Sequence, residues 1–125
     1  MAAHIARDDA KENAMKYLLL IYGNEATYLD RPKEAMAESF AAYTAYTQAM
    51  REAGVLLAAD RLRPTAEART VRKKGVVDGP FAETKEQLGG YYLIEAADLD
   101  AALAWAERCP GAQHGSIEVR PVWTM

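Results

Sequence analysis

The chain has 125 residues, of which 50% are hydrophobic and 26% are charged, and its formal net charge is −3. This composition is typical of one globular domain, and the acidic balance argues against a general nucleic-acid-binding protein, which usually carries a basic stripe. No apolar run reaches the roughly 20 residues of a membrane helix, no secretory signal precedes the domain, and a single cysteine excludes an internal disulfide and a multi-cysteine metal site. We therefore expect a cytoplasmic protein without a metal, a cofactor, or a nucleic-acid or membrane partner.

The first half of the chain predicts a flexible extension, a strand and a helix. Residues 1–14 are polar and lack periodicity, so the folded domain is expected at residues 15–125. Residues 17–22 are apolar on both alternating faces, which is typical of a central strand covered on both sides. The following helix is capped by Asp30 or Arg31 and ends at Gly54. Its predicted packing face repeats at spacings of three and four residues, at Met36, Phe40, Tyr43, Thr47 and Met50.

The middle of the chain predicts a strand at residues 55–59, a charged continuation, and a β-ribbon at residues 69–77. The segment that follows contains Thr84 and Gln87, which fit a capping box for one helical turn before a pair of glycines returns the chain to a strand. The alternative interpretation of this segment is a loop that contacts a ligand.

The last third of the chain repeats the strand and helix pattern. Residues 91–94 predict a second central strand, and Asp98 caps a second helix that ends at Pro110. Ile117 and Val119 then alternate with charged residues in a half-exposed final strand. The element order predicts an α+β fold, ferredoxin-like, with an additional β-ribbon.

The covering of the sheet predicts the oligomeric state. Two helices cover one face of such a sheet, whereas both central strands are apolar on both faces. A second copy is the simplest cover for the other face, since closed two-fold dimers are the commonest soluble assemblies. We therefore expect a homodimer.

One motif resembles a known family. The Asp-Gly-Pro-Phe run of residues 78–81, followed by Glu-Thr-Lys-Glu-Gln-Leu-Gly-Gly-Tyr-Tyr at residues 83–92, resembles the DGPF branch of the YCII-related proteins. Further likeness lies at residues 15–17, 53–56, 98–103, 109–110 and 119–123. The resemblance implies a dimeric α+β barrel in which the sheet of one subunit faces the sheet of the other. It implies no particular reaction, because the biochemical role of the family is poorly defined.

Asp78 is the first candidate site residue. An aspartate in a turn usually accepts a hydrogen bond from the backbone N–H two residues on, but here that residue is Pro80, which has none. The carboxylate therefore needs another partner, such as the N–H of Phe81, a cationic side chain, water or a ligand, because burying it unpaired is costly.

The resemblance also implies a pocket between the first helix and the sheet, in which relatives use a His–Asp pair. The equivalent of that histidine here is Tyr43, and an ordinary tyrosine, with a pKa near 10, is a poor base at neutral pH. We predict Asp78 and Tyr43 as the catalytic residues. The predicted substrate-binding residues are Asp60, Arg61, Tyr46 and Lys85.

Three other residues with reactive side chains are not predicted as site residues. His114 and Ser116 lie two residues apart, but no acid follows them as in a catalytic triad, so we assign the histidine to a loop. Cys109 is expected to be buried as a small apolar residue.

Two hypotheses for function follow. The first is a small-molecule-binding homodimer, with cofactor-independent acid–base chemistry of the lyase or isomerase type. The alternative is an accessory or regulatory protein of an extracytoplasmic-function sigma-factor system, because genes of the resembled family are similar to those found near such factors. A protein partner of this kind predicts an exposed apolar patch on the outer surface.

Overall fold

The computed structural model describes residues 14–123. The strands in this part of the chain are β1 Met15–Gly23, β2 Leu56–Arg61, β3 Arg69–Arg72, β4 Gly75–Asp78, β5 Gln87–Ala96 and β6 Ser116–Pro121. The helices are α1 Glu25–Tyr28, α2 Lys33–Glu52 and α3 Leu99–Arg108. Two short 3₁₀ turns lie at Thr65–Glu67 and Pro110–Gln113.

The main sheet has the strand order β2-β5-β1-β6, and every neighbouring pair is antiparallel. Strands β3 and β4 form a separate ribbon. This topology confirms the predicted ferredoxin-like α+β fold with an additional ribbon. The predicted flexible extension of residues 1–14 lies, except for Ala14, outside the described residues.

One face of the sheet carries the hydrophobic core. Tyr17 and Leu19 of β1 and Tyr92 and Ile94 of β5 are buried there. The helices supply the other side of this core, with Tyr46, Met50, Ala102 and Ala106. The core side chains alternate along β5 with residues that are only half-buried, which shows that the helices cover a single face.

The opposite face of the sheet is apolar at its centre. Leu18 of β1 pairs with Leu93 of β5, and Leu20 pairs with Tyr91, so all four side chains share this face. The prediction that the central strands are apolar on both faces is therefore confirmed. We call this surface the open face.

The predicted packing face of the first helix is correct only in its second half. Tyr43, Thr47 and Met50 of α2 are buried or half-buried, whereas the side chains of Met36 and Phe40 are 44% and 76% exposed. Helix α2 has 20 residues, but α3, which contacts it at Tyr46, has only 10. The exposed side chains belong to the half of α2 that precedes this contact.

The helix ends follow the sequence signals in two cases of three. The Asp98 carboxylate accepts the N–H of Ala101 at 2.9 Å and caps α3, as predicted. Gly54, with φ at 73°, ends α2, also as predicted. The prediction that Asp30 or Arg31 caps α2 is wrong, because Pro32 occupies the cap position without a side-chain hydrogen bond and Arg31 donates to the Ala35 carbonyl.

The capping box predicted at Thr84 is also wrong. Gln87 begins β5 and pairs with Gly23, so the hydrogen bonds of the sheet replace a helical turn. The Thr84 hydroxyl donates to the carbonyl of Glu86, and the Gln87 side chain donates to the carbonyl of Thr84. Gly90 lies inside β5, where an added Cβ would come within 2.9 Å of the Asp60 carbonyl oxygen. The short helix α1 was not predicted.

Within residues 14–123, no helix combines the length and the apolar character that crossing a membrane requires.

Candidate functional site

The structure places Asp78 on the ribbon. Its side chain is 90% exposed, and its carboxylate lies 3.1 Å from Nε of Arg69, the residue opposite it in the ribbon. The carboxylate therefore has a cationic partner, which is one of the outlets that the proline at position 80 leaves open. Exposed ion pairs of this kind contribute little to stability.

Tyr43 and Tyr46 lie in or beside the core. The Tyr46 hydroxyl donates to the carbonyl of Trp105 at 2.7 Å, and the Cys109 thiol lies 3.9 Å from the Tyr43 hydroxyl oxygen. Burial raises the pKa of both tyrosines, and the neighbouring Cys109 raises it further. Both phenols are therefore neutral hydrogen-bonding groups at physiological pH rather than bases.

The remaining predicted site residues are distributed over three other regions. Asp60 accepts a hydrogen bond from the Tyr91 hydroxyl at 2.9 Å on the open face. Arg61 lines a small pocket beside Tyr28, and Lys85 lines a separate cleft. Among the contacts within residues 14–123, none joins Asp78 to Tyr43, so their role as a catalytic pair stays a prediction.

Lys85 lines a surface cleft of about 950 Å³ whose lining residues are mostly polar. We call it the polar cleft. It is lined by Tyr22, Asn24, Thr27, Thr84, Lys85, Glu86, His114, Ser116 and Glu118.

Strand pairing brings three distant segments together at the polar cleft. Tyr22 near the end of β1 pairs with Ser116 at the start of β6, while Gly23 pairs with Gln87 at the start of β5. The loop that ends at Glu86 therefore reaches the junction of β1 and β6. Gly115 keeps that junction tight, because an added Cβ would overlap the carbonyl oxygen of Tyr22.

Two hydrogen bonds organise the polar groups of the cleft. The Ser116 hydroxyl donates to Glu86 at 2.7 Å, and the Tyr22 hydroxyl donates to Glu118 at 3.4 Å. Arg120 lies 3.7 Å from the second oxygen of Glu118. Burial raises the pKa of Tyr22, and Glu118 raises it further, against the opposing effect of Arg120. Tyr22 therefore keeps its proton at neutral pH and can donate a hydrogen bond.

The polar cleft contains the side chains that acid–base chemistry requires. It combines two carboxylates, a tyrosine donor and His114, and imidazole is the side chain that exchanges protons most readily near neutral pH. Among the described residues, no group of three or more His, Cys, Asp and Glu side chains is arranged to hold a metal ion. The arrangement suits proton transfer to or from a bound organic molecule.

Of the residues that line this site, the sequence predicts only Lys85 as a site residue, and it predicts His114 as a loop residue. The reason is the position of the acid. Ser116 bonds to Glu86, which precedes it by 30 residues, whereas a triad-like pattern was sought after the histidine. Only the register of β1 with both of its neighbours would have indicated that these residues meet.

Comparison with known proteins gives one family. The model of the YCII-related domain matches residues 15–125. An uncharacterized protein of Rhizobium meliloti (strain 1021) is 42% identical over 114 residues, a match that covers 86% of this chain and 92% of that protein.

Proposed function

The chain belongs to the family of proteins with a YCII-related domain, and from this premise we propose that it is a homodimer that binds a small molecule in the polar cleft. The proposed chemistry is cofactor-independent proton transfer of the lyase or isomerase type. The observation that carries the proposal is the convergence of the Tyr22–Glu118 and Ser116–Glu86 pairs on a cleft that His114 also lines.

The proposed roles follow from the chemistry of each group. His114 removes a proton from a substrate carbon next to a carbonyl group. The Tyr22 hydroxyl, positioned by Glu118, donates a hydrogen bond to the carbonyl oxygen, where negative charge develops as the proton leaves. Glu86 fixes the Ser116 hydroxyl as a further polar contact for the substrate.

The proposed homodimer completes this cleft. Tyr22 and Glu118 project from the open face, because Leu20 pairs with Glu118 and Tyr22 follows Leu20 by two residues on the same strand. A second copy on the open face would cover the leucines at its centre and also form a wall over the exposed side of the cleft. Exclusion of water in this way strengthens the electrostatic interactions of the site.

The experiment that tests the activity is deuterium exchange. The protein is incubated in D₂O with a panel of small ketones and 2-oxo acids, and loss of the C–H signal next to the carbonyl is followed by ¹H NMR. We expect accelerated exchange for at least one compound and a rate lower by about 100-fold in His114→Gln. His4→Gln, which changes the other histidine of the chain, is the control and should exchange at the wild-type rate. An absence of exchange across the panel, or undiminished exchange in His114→Gln, would refute the proposal.

Native mass spectrometry separates the polar cleft from the predicted pair of Asp78 and Tyr43. Wild-type protein is compared with Glu86→Gln and Asp78→Asn for any small molecule that is retained after purification. Loss of the molecule in Glu86→Gln alone supports the polar cleft. Loss in Asp78→Asn alone supports the ribbon carboxylate instead.

A second candidate function is an accessory role in an extracytoplasmic-function sigma-factor system. The observation that favours it is apolar surface on the ribbon and just after it, where Val71 and Val76 of the ribbon and Phe81, three residues beyond it, are 75%, 65% and 75% exposed. The test is to mix the purified protein with a purified extracytoplasmic-function sigma factor of the same organism and to measure the complex by native mass spectrometry. This role predicts a complex that is lost in the double variant Val71→Ser, Val76→Ser and kept in Val122→Ser.

A further inference from the structure

A second pocket, separate from the polar cleft, lies on the other side of the short segment that contains α1. Its volume is about 290 Å³, and it is formed by Tyr28, Leu29 and residues 61–64. The proposed acid–base chemistry uses none of these residues. We call this cavity the arginine pocket.

The arginine pocket carries positive charge. The Nε–H group of Arg63 donates to the carboxylate of Glu67, four residues on, at 2.8 Å, and both side chains are exposed. Arg61 forms no salt bridge within residues 14–123, although it lines the pocket on a strand at the edge of the main sheet. An arginine side chain presents a planar fork of donors that matches a carboxylate.

The rest of the pocket wall is apolar. Leu29 and Leu62 are 41% and 40% exposed, and Pro64 and the ring of Tyr28 complete the lining. The Tyr28 ring is held in place between two glycines, since added Cβ atoms on Gly23 and Gly89 would lie 3.4 and 3.2 Å from its atoms. The pocket therefore offers apolar surface next to a guanidinium group.

The two walls of the pocket are tied together before any ligand arrives. The Glu25 carboxylate, on α1, accepts the Thr65 backbone N–H at 2.9 Å and its hydroxyl at 2.7 Å. The backbone N–H of Leu62 donates to the Gly89 carbonyl at 2.8 Å, which fixes the other wall to β5. Such preorganisation lowers the cost of binding.

We propose that the arginine pocket binds a small organic monocarboxylate with an apolar or aromatic body. The guanidinium of Arg61 would take the carboxylate, and the leucines, Pro64 and Tyr28 would contact the body. The volume is close to the lower end of ligand pockets, roughly 300 Å³. Glu25 and Glu67 border the site and are already bonded, so their charge disfavours a dianion such as phosphate and favours a single negative charge.

The test is a titration of the ¹⁵N-labelled protein with benzoate, followed by two-dimensional NMR, with neutral benzamide as the matched probe. We expect saturable shifts of the backbone amide signals of Arg61, Leu62 and Arg63 with benzoate, and binding of benzamide that is weaker by at least about tenfold. Arg61→Gln should weaken benzoate binding by a similar factor, and Arg61→Lys should weaken it less. Arg51→Gln, which changes an exposed arginine on α2, is the control and should bind as the wild type does.

Two outcomes would overturn the proposal. The first is equal affinity for benzoate and benzamide. This result needs no variant, and it would show that the negative charge of the carboxylate does not contribute to binding. The second is unchanged benzoate binding in Arg61→Gln. Because the affected signals belong to residues 61–63, either result is distinguishable from a failure of the polar cleft.

Discussion

Tyr43 and Tyr46 lie three residues apart on one helix and differ in how their hydroxyl groups are satisfied. The Tyr46 hydroxyl has a short bond to a backbone carbonyl, at 2.7 Å, while the Cys109 thiol approaches the Tyr43 hydroxyl only to 3.9 Å. Burial makes both groups neutral at physiological pH. Tyr22, at the surface of the polar cleft, remains the tyrosine that a substrate can reach.

Tyr46→Phe should reduce the free energy of unfolding by about 1 kcal/mol, because the Trp105 carbonyl loses its hydrogen bond in a buried site. Tyr17→Phe is the matched control. Tyr17 is similarly buried, but within residues 14–123 the one partner of its hydroxyl is the sulfur of Met15 at 3.7 Å, so its removal should cost less. Urea denaturation of the three proteins measures both changes, and an equal cost for the two variants would contradict the assignment.

Stability should decrease in alkaline solution. Burial raises the pKa of Cys109 above its ordinary value of 9.0 and that of Tyr43 and Tyr46 above 10.0. The folded protein therefore holds these protons when the unfolded chain has released them, and unfolding becomes easier as the pH rises. The stabilisation that these protonated groups give the folded protein is fully present below pH 9.0 and is lost progressively above it.

Urea unfolding between about pH 7 and pH 11 measures this effect. We expect constant stability at the lower end and a decrease above the ordinary thiol and phenol values. Tyr46→Phe removes one of the buried ionisable groups, so its decrease should be shallower. A free energy of unfolding that rises with pH in the alkaline range would show that these groups are not protected from ionisation.

Among the elements, β1 has the central place, because it pairs with β5 on one side and β6 on the other. The end of this strand carries Tyr22, and both neighbouring strands begin there. The polar cleft is therefore a product of strand register. A change that displaces β6 from β1 should affect the fold and the cleft together.

Gly115→Ala should destabilise the protein by about 3 kcal/mol or more, because the new methyl group overlaps the backbone carbonyl of Tyr22 and neither backbone can move without disturbing the sheet. Gly54→Ala is the matched control. No atom lies within 4 Å of its added Cβ, so its cost is limited to the strain of φ at 73°, roughly 1 to 2 kcal/mol. Thermal and urea unfolding compare the two variants, and a smaller loss at Gly115 would contradict the close approach.

For the whole molecule, the open face is the surface that bears on assembly. Helices α2 and α3 bury the other face, and within residues 14–123 the centre of the open face consists of two paired rows of apolar side chains. These side chains are half-buried, and apolar surface that stays partly exposed in this way usually marks an interface. The homodimer is proposed on this ground.

Leu18→Glu should convert the proposed dimer into a monomer, because it places a charge opposite Leu93 at the centre of the open face. Light scattering coupled to size-exclusion chromatography measures the mass, and circular dichroism checks that the variant is folded. Val76→Glu, on the 65% exposed ribbon, is the control and should remain dimeric. A monomeric wild-type protein at micromolar concentrations would contradict the proposal.

The order of the elements could be read from the sequence because its determinants are local. The strands at residues 17–22 and 91–94, the cap at Asp98 and the glycine stop at Gly54 all depend on neighbouring residues in the chain. Two predictions from local patterns were wrong. Arg31 does not cap α2, because its side chain donates to the Ala35 carbonyl. Thr84 does not begin a helical turn, because Gln87 pairs with Gly23 in the sheet.

The fold class and the two-sided character of the central strands could be predicted from the sequence alone, since both follow from hydrophobic periodicity. Which polar side chains share a site depends instead on how the strands pair. Glu86 and Ser116 lie 30 residues apart and meet because β1 pairs with β5 and with β6 in one register. Asp78 and Tyr43, by contrast, lie on the ribbon and beside the core, each with its own contact. Register depends on the packing of the whole sheet, and no local pattern of residues encodes it.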